Sequence, residues 1–453
     1  KLPTATLPGY TFLGWYDAAT GGNKIGGAGD SYTPTAAKTL YAHWQANKIT
    51  VKFSGNGATS GSMTDQQFTY DSAQALRANG FTRAYTVTYS GNFAGKTPTL
   101  GATSQTATYT FKNWNNAAAG NGSYTYTNGQ TVTNPNGASS GTTYLYAQWN
   151  SASVKLPTAT LPGYTFLGWY DAATGGNKIG GAGDSYTPTA AKTLYAHWNV
   201  NTNTAYKVNV YVMNTSGGYP TTPTTHSYTG TTDTSVTIDQ SRYYPDKSGQ
   251  FSLDSDKSNV LTGTIEGDGS LVLVVYIKRA SHTVTYDSAT NGGSTATQTR
   301  TVYYQGAVDF TLKAEKSDWT FIGWNTDKNA TEKLDSLTMG TSNVTLYAIF
   351  SKTVTVHFYS GSKGAVHNQF QITFKNNETA GSVKSPASFG TIDGWTALGW
   401  TASTAASKAV GDAAIKGGTT ITVAPAKNEY VYYAVYTQSQ TLKYESNANG
   451  DTS

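Results

Sequence analysis

The chain has 453 residues, enough for about three or more domains of roughly 100 to 200 residues each, so several modules are expected rather than one compact domain. Only 13% of the residues are charged, the net charge is +5, and 48 Gly, 33 Tyr and 10 Trp accompany abundant Thr and Asn, a composition of strands and loops. The absence of cysteine excludes disulfides, thiol nucleophiles, Cys-ligated zinc or iron–sulfur and thioester chemistry, and no apolar run reaches the ~18 residues of a membrane helix.

The first element is Lys1 to Trp44, KLPTATLPGYTFLGWYDAATGGNKIGGAGDSYTPTAAKTLYAHW, and it recurs without one change as Lys155 to Trp198. Packing constrains core positions, but nothing physical fixes exposed Thr, Asn and Lys so strictly, so the identity reports a recent duplication. Its framework, aromatic-X-X-[Gly/Asn]-Trp followed by a Gly/Asn-rich stretch and a strand ending Tyr-Ala-X-aromatic, runs further. The instances are YTFLGW with YAHW, YTFKNW with YAQW (Tyr109 to Trp114, Tyr146 to Trp149), the identical copy, WTFIGW with YAIF (Trp319 to Trp324, Tyr347 to Phe350) and WTALGW with YAVY (Trp395 to Trp400, Tyr433 to Tyr436).

Alternating strands precede most of these units: Ile49 to Phe53 before SGNG, Tyr85 to Tyr89 before SGN, Thr283 to Tyr286 before DSATNGG and Val354 to Phe358 before YSGS. Period-two alternation predicts strands with one buried face, and Asn-Gly or Gly-Gly supplies the positive φ of a tight turn. Each module therefore reads as a hairpin, a crossover, a Trp strand and a return strand. Between two of them, residues 206–279 carry YKVNVYVM, PDKSG and LVLVVYIKR and lack the Gly-Trp pair.

The GYTFLGWYDAATGG and LYAHW signatures closely resemble the Listeria–Bacteroides repeat, or internalin B-repeat, family of bacterial surface proteins, over residues 1–198 and 281–436. Residues 206–279 resemble the mucin-binding protein repeat in strand order and in the ending VYIKR. Both resemblances imply small β-grasp modules, here in an elongated mostly-β array. The family's short helix is not expected, because GGNKIGGAGDSYTPTAA is rich in Gly and holds Pro188 in its second copy, so helix content should be low.

The expected modules are 1–44 (partial), 45–83 plus 150–198 as one discontinuous module, 84–149 inserted into it, 205–280, 281–351 and 352–438, with 439–453 as the opening strand of another. Nesting is predicted because 155–198 lacks its own hairpin while 48–83 has a hairpin without a Gly-Trp strand, and loops accept insertions at low entropic cost. Strand 49–53 beside 193–198 would establish it; serial stacking is the alternative. Both ends read as incomplete modules, either cut from a longer chain or able to complete one another between chains.

Candidate chemistry is sparse. His43, His197, His226, His282, His357 and His367 show no metal spacing, and His43 and His197 sit at the X of YAXW, an edge or solvent position. Asp254-Ser-Asp256 has Asn259 and Ile265 where an EF-hand needs Gly and Glu, which leaves an irregular site there or around Asp327 and Asn329. GNGATSG at 55–61 is a hairpin turn and not a dinucleotide fingerprint, and LPTAT lacks the order of a sortase signal. A Lys–Asn crosslink needs contacts that sequence does not reveal.

Trp15, Trp44, Trp114, Trp149, Trp169, Trp198, Trp324 and Trp400 are assigned to module cores, since a small module draws much of its hydrophobic stabilisation from an indole burying about 150–250 Å². Tyrosines such as Tyr16, Tyr170, Tyr124, Tyr126, Tyr303 and Tyr304 are sheet surface or contacts for sugars and proteins. No catalytic residue, metal ligand or cofactor is assigned, and the thin spread of 31 basic against 26 acidic residues does not fit nucleic-acid binding. The expected role is a non-enzymatic extracellular stalk or adhesin on a bacterial surface, without membrane insertion in this segment. Its partners would be host or bacterial glycans or glycoproteins; the alternative is a filament subunit exchanging strands with its own copies.

Overall fold

The computed structural model describes residues 1–360, 366–402 and 415–443. It is almost entirely strand; among the described residues the only helical pieces are single 3₁₀ turns at Pro135–Gly137, Gln240–Tyr243 and Ala289–Asn291. The chain divides into two compact units, one of residues 1–206, 229–235 and 264–271 and the other of 207–228, 236–263 and 272–453.

The second unit displays the module in its plainest form. Strands run in the order Gln298–Tyr303, Ser281–Asp287, Val344–Tyr359, Thr320–Asn325, with the hairpin's first strand parallel to the return strand (Val284 opposite Val344) and the other neighbours antiparallel. Alternation sends Val284, Tyr286, Leu346, Ala348 and Phe350 inward around Trp324, with Met339 and Ala314 closing the core from the loops.

Val344–Tyr359 then continues into the following module. Its second half pairs with Val366–Lys375 and, in parallel, with Glu429–Thr437, which also pairs with Thr396–Thr401 around Trp400. One strand thus closes one module and opens the next. A similar succession joins Val272–Arg279 to Ser281–Asp287 through Ala280 alone. Residues 204–279 form a sheet with the same order, Thr224–Gly230, Thr204–Val212, Val272–Arg279, Phe251–Leu253, again with the first strand parallel to the last.

In the first unit the pairing differs from the nested expectation. Strand Lys48–Ser54 lies parallel to Gly141–Trp149, with Ile49 opposite Gly141, and Phe81–Ser90 lies parallel to Lys192–Val200, with Val87 opposite Lys192. The two hairpins therefore cross over: 48–69 completes the Trp114 unit and 81–109 completes the Trp169 unit, neither nested nor in simple series. Two cores result, one around Ile49, Val51, Phe68, Trp114 and Leu145, the other around Val87, Tyr89, Tyr109, Trp169 and Leu194. Short pairs such as Gln74–Ala75 with Thr131–Val132 and Thr99–Leu100 with Ala159–Thr160 pin the loops.

Residues 1–44 form a three-stranded sheet, Lys24–Gly26, Tyr10–Tyr16, Tyr41–Ala46, with the last strand at its edge. The Gly-rich stretch is extended in both copies, as Lys24–Gly26 and Lys178–Gly180. Of the expected terminal strand Thr441–Tyr444, residues 441–443 are not in a strand and Tyr444 onward lies outside the described residues.

Candidate functional site

The feature that recurs through the chain is the tryptophan socket. In the Trp strand the register slips by one residue at Phe12/Gly14, Phe166/Gly168, Phe321/Gly323 and Ala397/Gly399, and each glycine has a positive φ, from 135° at Gly168 to 157° at Gly399. A side chain at 168 would meet the Gly180 carbonyl at 2.8 Å, so glycine is required there. The bulge turns the next residue inward, which explains the Gly-Trp pair; Asn113 occupies the same slip in the Trp114 unit.

Once inward, the indole needs an acceptor for its N–H. Trp169 donates to the Pro157 carbonyl at 2.8 Å, Trp324 to Leu312 at 2.8 Å, Trp400 to Pro386 at 3.0 Å and Trp15 to Pro3 at 2.8 Å. Trp114 is equally buried but its Nε1 has no partner among the described residues. Trp149 and Trp198, on return strands, are half-buried and donate to the carbonyls of Gly55 and Gly91 in the hairpin turns. Trp15 and Trp44 are half-buried, without a hairpin against them.

Turn asparagines clamp the hairpins to the return strands. Asn56 donates to Ala147 at 2.8 Å, Asn92 to Ala196 at 3.1 Å and Asn291 to Ala348 at 2.8 Å, and in each case Nδ2 reaches a second carbonyl, Ala118, Ala173 or Lys328. Asn56 and Asn92 have φ of 45° and 49°. Sequence reading assigned these residues to the turn; the carbonyl they hold is set by a strand 57 to 104 residues away and leaves no local signal.

A second set of residues joins successive modules. Tyr10 donates to Asp71 at 3.2 Å, and its twin Tyr164 donates to Asp233 at 2.6 Å, while Lys96 pairs with Asp233 at 2.5 Å. Asp71 and Asp233 both have a left-handed backbone. The Lys96 ammonium and the Tyr164 hydroxyl hold the Asp233 carboxyl below its ordinary range, and the hydrogen bond to Asp233 with partial burial pushes Tyr164 up to about 12. In the second unit Lys316 Nζ donates to the carbonyls of Asn291 at 3.0 Å and Asn376 at 2.5 Å, and lies 3.9 Å from the Trp319 ring centroid. Burial lowers its pKa.

The remaining candidates are dispersed. His43 and His197 are half-buried, stacked on Tyr16 and Tyr170 at 3.8 and 3.9 Å, and bonded to the Ala18 and Ala172 carbonyls, positions more enclosed than the edge expected. His282 meets Gln250, His357 meets Glu429, His367 lies beside Ser388 and Trp400, and His226 packs near Tyr243. Asp254 accepts from Tyr219 at 2.6 Å and from the Asp256 amide, whereas Asp327 accepts from the Asn329 amide in a local turn. Among the described residues no three His, Cys, Asp or Glu are grouped to hold a metal ion, and no helix is long and apolar enough to cross a membrane.

The arrangement is thus a set of packing and joining devices, and comparison with known proteins meets it at the same places. The model of the Listeria-Bacteroides repeat domain matches residues 1–43, 134–197 and 282–349. These three segments are similar to Listeria–Bacteroides repeats. Each matched segment contains one Gly-Trp bulge and ends within a YAHW or YAIF strand. Over 73 residues the chain is 47% identical to internalin H of Listeria monocytogenes, covering 16% of this chain and 12% of that protein. Over 388 residues, 75% of this chain and 38% of the relative, it is 26% identical to a protein of Evansella cellulosilytica described as a Gly-rich membrane protein. The aligned parts span well under two thirds of those relatives' own lengths.

Proposed function

We propose that these repeats form a non-enzymatic, force-bearing spacer in an extracellular protein of a bacterial surface. The observation that carries this reading is the parallel pairing of the first and last strand in each complete module, as at Val284 to Asp287 against Val344 to Tyr347. Parallel neighbours enter and leave the module at opposite ends, so tension along the chain loads their ladder of hydrogen bonds together, in shear. The strand Val344–Tyr359 passes that load from one core to the next without a linker. The names of the relatives, an internalin and a membrane protein, agree with a surface setting.

Pulling the full chain by its ends tests this. Separate unfolding events, one for each complete core, support a spacer; extension at negligible force removes the reading.

A second reading, contact with glycans or glycoproteins, is favoured by Tyr124 and Tyr144, residues 41% and 50% exposed. Tyr124 borders a shallow cleft with Gln130, Thr133 and Asn134, a combination of ring face and amides suited to a sugar. Glycan-array binding by the full chain that disappears in Tyr124→Ala would support it.

A further inference from the structure

The identical segments 1–44 and 155–198 are an internal control: one sequence in two surroundings. In the second copy Trp169, Leu194 and Ala196 are 0% exposed and Pro188 is buried. In the first, Trp15, Leu40 and Ala42 are half-buried and Pro34 is exposed. Secondary structure differs too, because the return strand begins at Lys192 in the second copy but only at Tyr41 in the first, leaving Lys38 to Leu40 outside the sheet.

The difference tracks with the hairpin Phe81–Ser90 with Ser104–Tyr109. It lies parallel to Lys192–Tyr195 and places Val87, Tyr89, Ala107 and Tyr109 in the core with Trp169. It is fastened by Asn92 to the Ala196 carbonyl, by the Trp198 indole to the Gly91 carbonyl at 2.8 Å, and by the Tyr109 hydroxyl to the Pro188 carbonyl at 2.5 Å. Every group that receives these contacts, Ala196, Trp198 and Pro188, exists again as Ala42, Trp44 and Pro34.

We propose that residues 1–44 are a strand-accepting site for a β-hairpin of the Phe81–Tyr109 pattern, which adds its first strand in parallel along Lys38–Tyr41. The occupant is fixed by an interface already present in the molecule. The same acceptor sequence takes this hairpin at 155–198, whereas the other opening hairpin, 48–69, serves the different acceptor YTFKNW. Recognition combines main-chain addition at the edge of Tyr41–Ala46 with an alternating apolar face that covers Trp15, and the turn asparagine fixes the register on the Ala42 carbonyl. The site takes a hairpin of that pattern and no other ligand, and it is independent of any mechanical role.

The test adds a second copy of residues 81–110 ahead of Lys1 of the full chain through a flexible Gly/Ser linker, which sets an effective concentration in the mM range. Amide hydrogen exchange across Lys38–Ala46 is compared with the parent chain, and a slowing of about a hundredfold or more is expected. Two variants locate the contact. Ala42→Arg, at a half-exposed position, should abolish the protection while the parent melting curve is retained. Asn92→Asp made only in the added hairpin, which leaves the parent residues untouched, should weaken it. Unchanged exchange at Lys38–Ala46, protection that survives both variants, or protection gained there only as Lys192–Val200 loses it would each overturn the proposal.

Discussion

Asn92 and Ala196, 104 residues apart, are joined by a 3.1 Å hydrogen bond from side-chain amide to main-chain carbonyl. The same relationship holds between Asn56 and Ala147, and these two bonds follow the crossed pairing of the hairpins. Asn92→Asp tolerates the left-handed backbone but removes the donor, leaving the Ala196 and Ala173 carbonyls without it. A loss of about 1–3 kcal/mol is expected from denaturant unfolding at neutral pH; an unchanged midpoint would show that the clamp is incidental.

Trp15 and Trp169 stand in identical sequence, so the same change at each isolates the environment. Trp169→Ala should destabilise its core by about 3–5 kcal/mol, the range for a fully buried aromatic. Trp15→Ala should be clearly milder, since its indole is only half-buried. Equal effects by chemical denaturation would contradict the burial difference.

Replacing tryptophan by phenylalanine separates the N–H from the ring. Trp169→Phe removes the bond to Pro157 and leaves its carbonyl without that donor, an expected loss of about 1–3 kcal/mol beyond the change in volume. Trp114→Phe removes an N–H that has no partner among the described residues, so it should be the better tolerated of the two. Matched unfolding curves of the two variants make the comparison.

The Tyr164, Asp233 and Lys96 cluster carries a pH signature at both extremes. Asp233 has a lowered pKa in the fold, so its contribution is complete above the ordinary carboxylate range and is lost as pH falls through the lowered value. Tyr164 has a raised pKa, so its contribution is complete below about 10 and fades as pH rises through about 12. In Asp233→Asn the acid-side loss from this cluster should disappear and Tyr164 should titrate earlier. Carbon-labelled tyrosine NMR reads the second effect, and an unmoved Tyr164 resonance would count against the cluster.

Lys316 ties the carbonyls of Asn291 and Asn376, one from each of the two modules that the shared strand joins. Lys316→Met keeps the packing on Trp319 but loses two charge-assisted bonds, worth about 1.5–3 kcal/mol each in a favourable setting. Calorimetry should show the melting of 281–351 and 352–437 separating; a single unshifted transition would argue that the strand alone couples them.

The strands were legible where alternation is strong. Ile49 to Phe53, Tyr85 to Tyr89, Thr283 to Tyr286 and Val354 to Phe358 all lie in opening strands, and the Gly-rich stretch with Pro188 contains no helix. The Gly-Trp pair marked the socket as well, since only glycine fits the bulge at Gly168. Partner choice was not legible. The hairpins at 48–69 and 81–109 carry the same pattern, so which return strand each joins depends on contacts such as Phe53 against Trp114 and Tyr89 against Trp169 that no local signal encodes. The junction aspartates Asp71 and Asp233 were also invisible, because an acidic residue after a strand reads as ordinary turn chemistry.

The crossed arrangement bears on how the chain is born. Synthesised N-terminus first, it displays both hairpins before 111–149 or 164–200 has emerged, and 111–149 follows directly on the hairpin it must refuse. That nearer hairpin has to wait for 164–200 while the more distant one is drawn back across it. Order of emergence therefore favours a wrong match at the start, and the ribosome's pace becomes a determinant of yield.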